Sequence, residues 1–119
     1  LARKQKAGGI VTFQLGSALL EACVLAVLAR GDAYGYVLTQ QVGAVIEVSE
    51  TALYPVLRRL QKDGALTAYD QSYQGRNRRY YQVTQLGQAR LRQFRAEWLS
   101  YKEAVDSILL EEGQKDDQG

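Results

Sequence analysis

Two short stretches hold most of the residues able to do chemistry. In "SETALYPVLRRLQKDG", residues 49–64, Ser49, Thr51 and Tyr54 offer hydroxyls and Arg58, Arg59 and Lys62 offer cations. In "YQGRNRR", residues 73–79, Gly75 stands beside Arg76, Arg78 and Arg79. Hydroxyls, guanidinium forks and ammonium groups at that density bind anions, phosphate above all, and a guanidinium also matches the acceptor edge of guanine. They make no nucleophile–base pair. The chain has no histidine and no methionine, and its one cysteine, Cys23, lies in an apolar run. That excludes His-based catalysis, CxxC redox chemistry, a zinc cluster and an internal disulfide. No metal or cofactor is called for, and an enzyme is the weakest reading.

Charge is distributed to match. Residues 49–95 hold nine Lys/Arg against three Asp/Glu, whereas residues 96–119 hold two against seven, within a formal net charge of only +2. A charged stretch is often no more than a solvated face, but a basic middle beside an acidic end points to a polyanion partner for the middle alone.

The elements that must hold these groups follow from periodicity. Residues 14–30 read as a helix that is apolar almost all round, through Leu15, Leu19, Leu20, Cys23, Val24, Val27 and Leu28. Such a helix needs cover on more than one side. After Gly31, Asp32 is the expected N-cap of a second helix over residues 33–45, with Tyr34, Val37, Leu38, Val42 and Val45 at helical spacing. Ser49 caps the third helix and Gly64 ends it. Turning about 100° per residue puts Leu53, Val56, Leu57 and Leu60 on its core side. Thr51, Tyr54, Pro55, Arg58 and Lys62 fall opposite, with Arg59 at the edge. Pro55 is expected near enough to the helix start to escape much of its usual cost of about 3 kcal/mol.

From residue 65 the pattern changes. "LTAYDQSY" and "RRYYQVT" are Tyr-, Thr- and Val-bearing runs separated by "QGRN", the signature of a two-stranded hairpin. Strand alternation allows only one of Tyr80 and Tyr81 to face the core. Thr84 then caps a long last helix, to about residue 112. The order predicts a mainly α fold with a two-stranded β wing: a winged helix-turn-helix over residues 14–84 and a C-terminal dimerisation helix over residues 85–112. Residues 1–13 are expected to be a flexible arm or an expression remnant, and residues 113–119 a frayed tail. The longest apolar run contains Glu21 and is too short to cross a bilayer, so no membrane is implied, and the lone thiol is compatible with a cytoplasmic site. The helix amino end and the wing cations together favour double-stranded DNA, bound through Ser49, Thr51, Tyr54, Arg58, Arg59, Lys62, Gly75, Arg76, Arg78 and Arg79.

"DAYGYVLTQ", "SETALYPVLRRLQKDGAL" and "YQGRNRRYYQVTQLG" together resemble the PadR family of bacterial transcriptional regulators. The resemblance is close over residues 19–87, and one long terminal helix without a further domain is similar to the small, subfamily 2-like type. It implies DNA contacts from Thr51, Tyr54 and Arg58 on the third helix and from Gly75, Arg76, Arg78 and Arg79 on the wing. It also implies dimerisation through the last helix and control of multidrug efflux or stress genes.

The residues of that last helix agree. Leu91, Phe94, Trp98, Tyr101, Val105 and Ile108 alternate at spacings of three and four, an aromatic heptad seam. With Leu20 and Val24 of the first helix they form the expected homodimer interface, which places two recognition helices for an inverted-repeat operator. Trp98 either packs in that seam or, as in some small PadR-type regulators, stacks a flat ligand, with Phe94 and Glu97 beside it. Cys23 is read as core rather than as a redox sensor. The expected function is therefore a dimeric DNA-binding repressor responsive to a small planar ligand. The alternative is a winged-helix adaptor that docks proteins and reads no DNA sequence.

Overall fold

A computed structural model describes residues 17–110. The expected arm, residues 14–16 of the first helix, residues 111–112 of the last and the expected tail lie outside the described residues.

Helix α1 spans residues 17–30. It is buried or half-buried from residue 18 to residue 28, with Val24, Leu25 and Leu28 almost fully enclosed, as an all-round apolar helix requires. Strand β1, Ala33–Tyr34, follows, then helix α2, Gly35–Gly43, and helix α3, Glu50–Lys62. Strands β2, Leu66–Tyr73, and β3, Arg76–Val83, form the hairpin, and helix α4, Gln85–Leu109, closes the order. The sheet runs β1-β3-β2 and is antiparallel throughout.

The architecture is the expected one, helices around a winged hairpin, with three corrections around α2. Ala33 and Tyr34 do not open α2: they pair with Tyr81 and Tyr80 and add a third strand to the wing's sheet. Asp32 is accordingly not an N-cap, since α2 starts from Tyr34 without a side-chain cap, and the Asp32 carboxylate instead accepts a 2.6 Å hydrogen bond from the Tyr69 hydroxyl. Val45, expected on the apolar side of α2, lies beyond the helix end and is 81% exposed. Backbone pairing available only in three dimensions has overridden a helical spacing that continues through residues 33 and 34.

The first helical bond of α3 runs from the Leu53 amide to the Ser49 carbonyl. Pro55 is therefore past the free amides of the first turn and removes a bond to the Thr51 carbonyl, which is a correction to the expected escape from that cost. Its exposed position lets water take the carbonyl instead. At the other end, the Gly64 amide donates to Gln61 and the Ala65 amide to Leu60, with Gly64 at φ +83°. This double bond pattern with a left-handed glycine ends the helix sharply.

That helix end is fastened to the start of α4. The Thr84 hydroxyl donates to the Gly64 carbonyl at 2.6 Å and accepts from the Gly87 amide at 3.0 Å, while the Thr84 amide donates to Ala65. A Cβ on Gly87 would collide with the Ala65 carbonyl oxygen and stand 2.7 Å from Val83 Cγ2. The core gathers Leu38 and Val42 of α2, the four expected residues of α3, and Leu66, Tyr81 and Leu91.

Gly87→Ala is expected to lower unfolding stability by roughly 2–3 kcal/mol, because backbone has to shift. Gly31→Ala, where a Cβ meets nothing within 4 Å, should stay within about 0.5 kcal/mol of the parent. Urea denaturation midpoints check both.

Candidate nucleic-acid interface

The site is assembled from α3 and the wing. On α3, alternation of core and surface leaves Thr51, Tyr54, Pro55, Arg58, Arg59 and Lys62 exposed, opposite the buried Leu53, Val56, Leu57 and Leu60. Ser49 is the N-cap: its side chain accepts from the Ala52 amide at 3.1 Å, so its hydroxyl oxygen is already engaged. Glu50 then occupies the first turn, where a carboxylate meets the positive end of the helix dipole. The Arg58 guanidinium carbon lies 5.7 Å from the Tyr54 ring centroid.

The wing turns through Gln74 and Gly75, at φ 52° and 79°, the left-handed pair of a tight two-residue hairpin. Nothing lies within 4 Å of where a Gly75 Cβ would be, so this glycine serves the turn and not a close packing contact. Tyr73 pairs with Arg76, Gln71 with Arg78 and Asp70 with Arg79. Adjacent residues alternate faces, so Arg78 and Arg79 point to opposite sides of the ribbon. The same rule separates the tyrosine pair: Tyr81 is buried at 5% exposure, and Tyr80 lies on the outer face against Tyr34 and Tyr69.

The structure sorts the six expected cations by their partners. Arg59 reaches back to α1, its Nε 2.8 Å from Glu21 Oε2 and its Nη2 3.5 Å from the Ser17 hydroxyl. It bridges α1 and α3 from the edge of the outward face, where the sequence placed it, and stays exposed. Arg79 is 3.5 Å from Asp70, an exposed pair that a competing phosphate can displace at little cost. Arg58, Lys62, Arg76 and Arg78 enter none of the ion pairs among the described residues. Between the amino ends of α2 and α3 and the wing runs a cleft of about 360 Å³, walled by Tyr34, Tyr36, Glu50, Tyr54 and Arg79. Tyr34, which the sequence placed at helical spacing, and Tyr36, which it did not single out, both line this cleft.

The expected interface residues of α1 and α4 divide as well. Val24 and Leu91 are 0% and 4% exposed within the chain itself, so both are core and not partner-facing, a correction with a plain cause: each belongs to the chain's own buried apolar cluster. Leu20, Phe94 and Trp98 are half-buried, Tyr101 is 38% exposed and Ile108 72%. Phe94, Trp98 and Tyr101 form a staircase of rings, 6.3 Å between successive centroids. Leu19, Cys23, Phe94, Trp98 and Leu99 line an apolar groove of about 380 Å³ between α1 and α4. Burial pushes the Cys23 thiol up, which suits a packing residue and not a reactive thiolate. Glu97 is exposed and accepts from Gln93 Nε2 at 3.2 Å. Among the described residues no cluster could hold a metal ion, and no helix is long and apolar enough to cross a membrane.

Comparison with known proteins gives a consistent result. Residues 24–93 match the transcriptional regulator PadR-like family. The solved structure of a Streptococcus mutans protein is similar, at 38% identity and a TM-score of 0.74, over 78% of this chain and 88% of that one. A PadR-like transcriptional regulator from Bacillus cereus shares 29% identity at a TM-score of 0.73, over 81% of this chain and 96% of that one. An uncharacterized protein of Lysinibacillus sphaericus is 34% identical over 96 residues, covering 76% of this chain and 87% of its own.

Removing the Arg59 clamp is expected to cost modestly, as partly exposed ion pairs do. Arg59→Ala and Glu21→Ala should each lower stability by less than about 1 kcal/mol. The double variant should be no less stable than the worse single one, which a double-mutant denaturation cycle reads directly.

Proposed function

Because this chain belongs to the PadR-like family of transcriptional regulators, we propose that it is a cytoplasmic repressor that binds an inverted-repeat DNA operator as a homodimer. The observation that carries the reading is the exposed set of Arg58 and Lys62 on α3 with Arg76 at the start of β3, which enter no ion pair among the described residues. In this reading α3 enters the major groove, with Thr51, Tyr54 and Arg58 toward base edges and Lys62 toward phosphate. The wing lies along the adjacent backbone, where Arg76, Arg78 and Arg79 need only be cationic and near. Ser49 and Gly75 support the two contacting elements, one as cap and the other as turn.

Pairing is assigned to α4. Beyond its first turns the helix keeps Trp98, Tyr101, Val105 and Ile108 on one side, half-covered or bare among the described residues, and Leu20 and Phe94 extend that surface toward α1. A second copy related by a twofold axis would cover it and set two α3 helices about one DNA turn apart. A flat ligand entering the groove beside Trp98 would stack on an indole already flanked by two rings, with Glu97 close by on α4 for a cationic group. It would regulate only if it bound one spacing of the two α3 helices better than the other.

DNA from upstream of the protein's own gene, titrated by fluorescence anisotropy across a salt series, tests the reading. Affinity should fall steeply with salt, and Lys62→Ala and Arg76→Ala should each make the logarithmic slope shallower by about 0.9. Salt-indifferent binding, or slopes unchanged in both variants, sinks it. For pairing, Ile108→Asp should raise the dimer dissociation constant at least about tenfold in sedimentation experiments while leaving the chain folded, since Ile108 is 72% exposed in the protomer.

A further inference from the structure

The outer face of the wing carries more aromatic surface than a backbone-skimming ribbon needs. Register and alternation put Tyr34, Tyr69, Tyr73, Arg76, Arg78 and Tyr80 on that face, while Ala33, Leu66 and Tyr81 face the core. The Arg78 guanidinium carbon lies 4.4 Å from the Tyr34 ring centroid and 4.3 Å from that of Tyr73. Tyr34 meets Tyr80 edge-on at 5.4 Å, and Tyr80 stacks on Tyr69 at 5.6 Å and 12°. Tyr69 is in turn tied to Asp32 by its hydroxyl, a bond that also holds the phenol proton and raises its pKa. The support behind Arg78 is therefore a connected set of rings anchored to the β1 strand.

We propose that Tyr34 and Tyr73 are positioning residues for Arg78: their rings hold its guanidinium in place on the wing, ready to contact a DNA phosphate. The proposal rests on the DNA-binding reading above. A planar guanidinium stacks its face on aromatic rings and keeps its in-plane N–H groups free to donate to an anion. A long cationic side chain that is free in solution must be immobilised when it binds, which weakens the complex. Arg78 is spared part of that loss. Arg76, on the same face nearer the turn, lies over no ring among the described residues, and Arg58 has one, at 5.7 Å.

Positioning and contact leave different marks on a salt titration. The slope of affinity against salt counts the phosphates neutralised in the complex, whereas the cost of ordering a side chain does not depend on salt. Measured by anisotropy on the same upstream DNA, Arg78→Ala should weaken binding and make the slope shallower by about 0.9. Tyr34→Leu and Tyr73→Leu should weaken binding roughly three- to tenfold with the slope of the parent. Tyr34→Phe and Tyr73→Phe, which keep the ring, should bind as the parent does. Placed on Arg78→Ala, either leucine substitution should have no further effect. Tyr73 is 47% exposed, so Tyr73→Leu leaves the fold intact and decides the matter should Tyr34→Leu disturb β1.

Parent-like binding by Tyr73→Leu, or full additivity with Arg78→Ala, overturns the positioning role. An unchanged slope in Arg78→Ala alongside a shallower one in Arg76→Ala also overturns it, while leaving the DNA-binding reading standing. Absence of DNA binding by the parent protein sinks both.

Discussion

The placement of α3 depends on one contact that has no room for a side chain. The first turn of α4 crosses the end of α3 so closely that only a glycine, Gly87, can lie against the Ala65 carbonyl. Thr84 completes the joint with bonds to Gly64, Ala65 and Gly87, and Arg90 adds an ion pair to Asp63 at 3.4 Å. Helix α3 is thus tied to α4 at its carboxyl end and, through Arg59 and Glu21, to α1 along its side. Close-packed contacts of this kind do not stretch. They shift as units or not at all. A change in the attitude of α4 would therefore bear directly on the carboxyl end of α3.

That coupling gives meaning to the uneven burial of α4. Its first turns are core, at Gly87 and Leu91, while the later turns present aromatic and aliphatic side chains half-covered or bare. The helix therefore joins the packed body that carries α3 to an apolar surface left partly open among the described residues. In a paired molecule the same helix would both make the pairing and set the distance between recognition helices, so a compound in the groove beside Trp98 would lie where small displacements matter most.

The cations illustrate how one residue type serves different ends. Arg59 spends its charge inside the chain, holding helices together. Arg79 is loosely paired with Asp70, and Arg78 is supported by aromatic rings. Arg58, Lys62 and Arg76 carry charge outward without an ionic partner among the described residues. A net charge over residues 49–95 treats all of them alike, and so overstates the charge left without a partner inside the described chain.

Local pattern alone determined a good deal here. The amphipathic stripe of α3, its Ser49 cap and Gly64 stop, the hairpin turn at Gly75 and the Thr84 cap were all legible, because each rests on interactions within a few residues. The sequence also determined that only one of Tyr80 and Tyr81 could be core, since pleating allows nothing else. What it left open depends on partners far along the chain. Tyr34 reads as helix by spacing but pairs with Tyr80; Arg59 reads as the edge of the outward face but meets Glu21, 38 residues away; Val24 and Leu91 read as interface but fill the core. Only the tertiary structure decided these, because a side chain's role is set by which neighbours arrive within a few ångströms, and hydrophobic spacing records that a face is covered without recording by what.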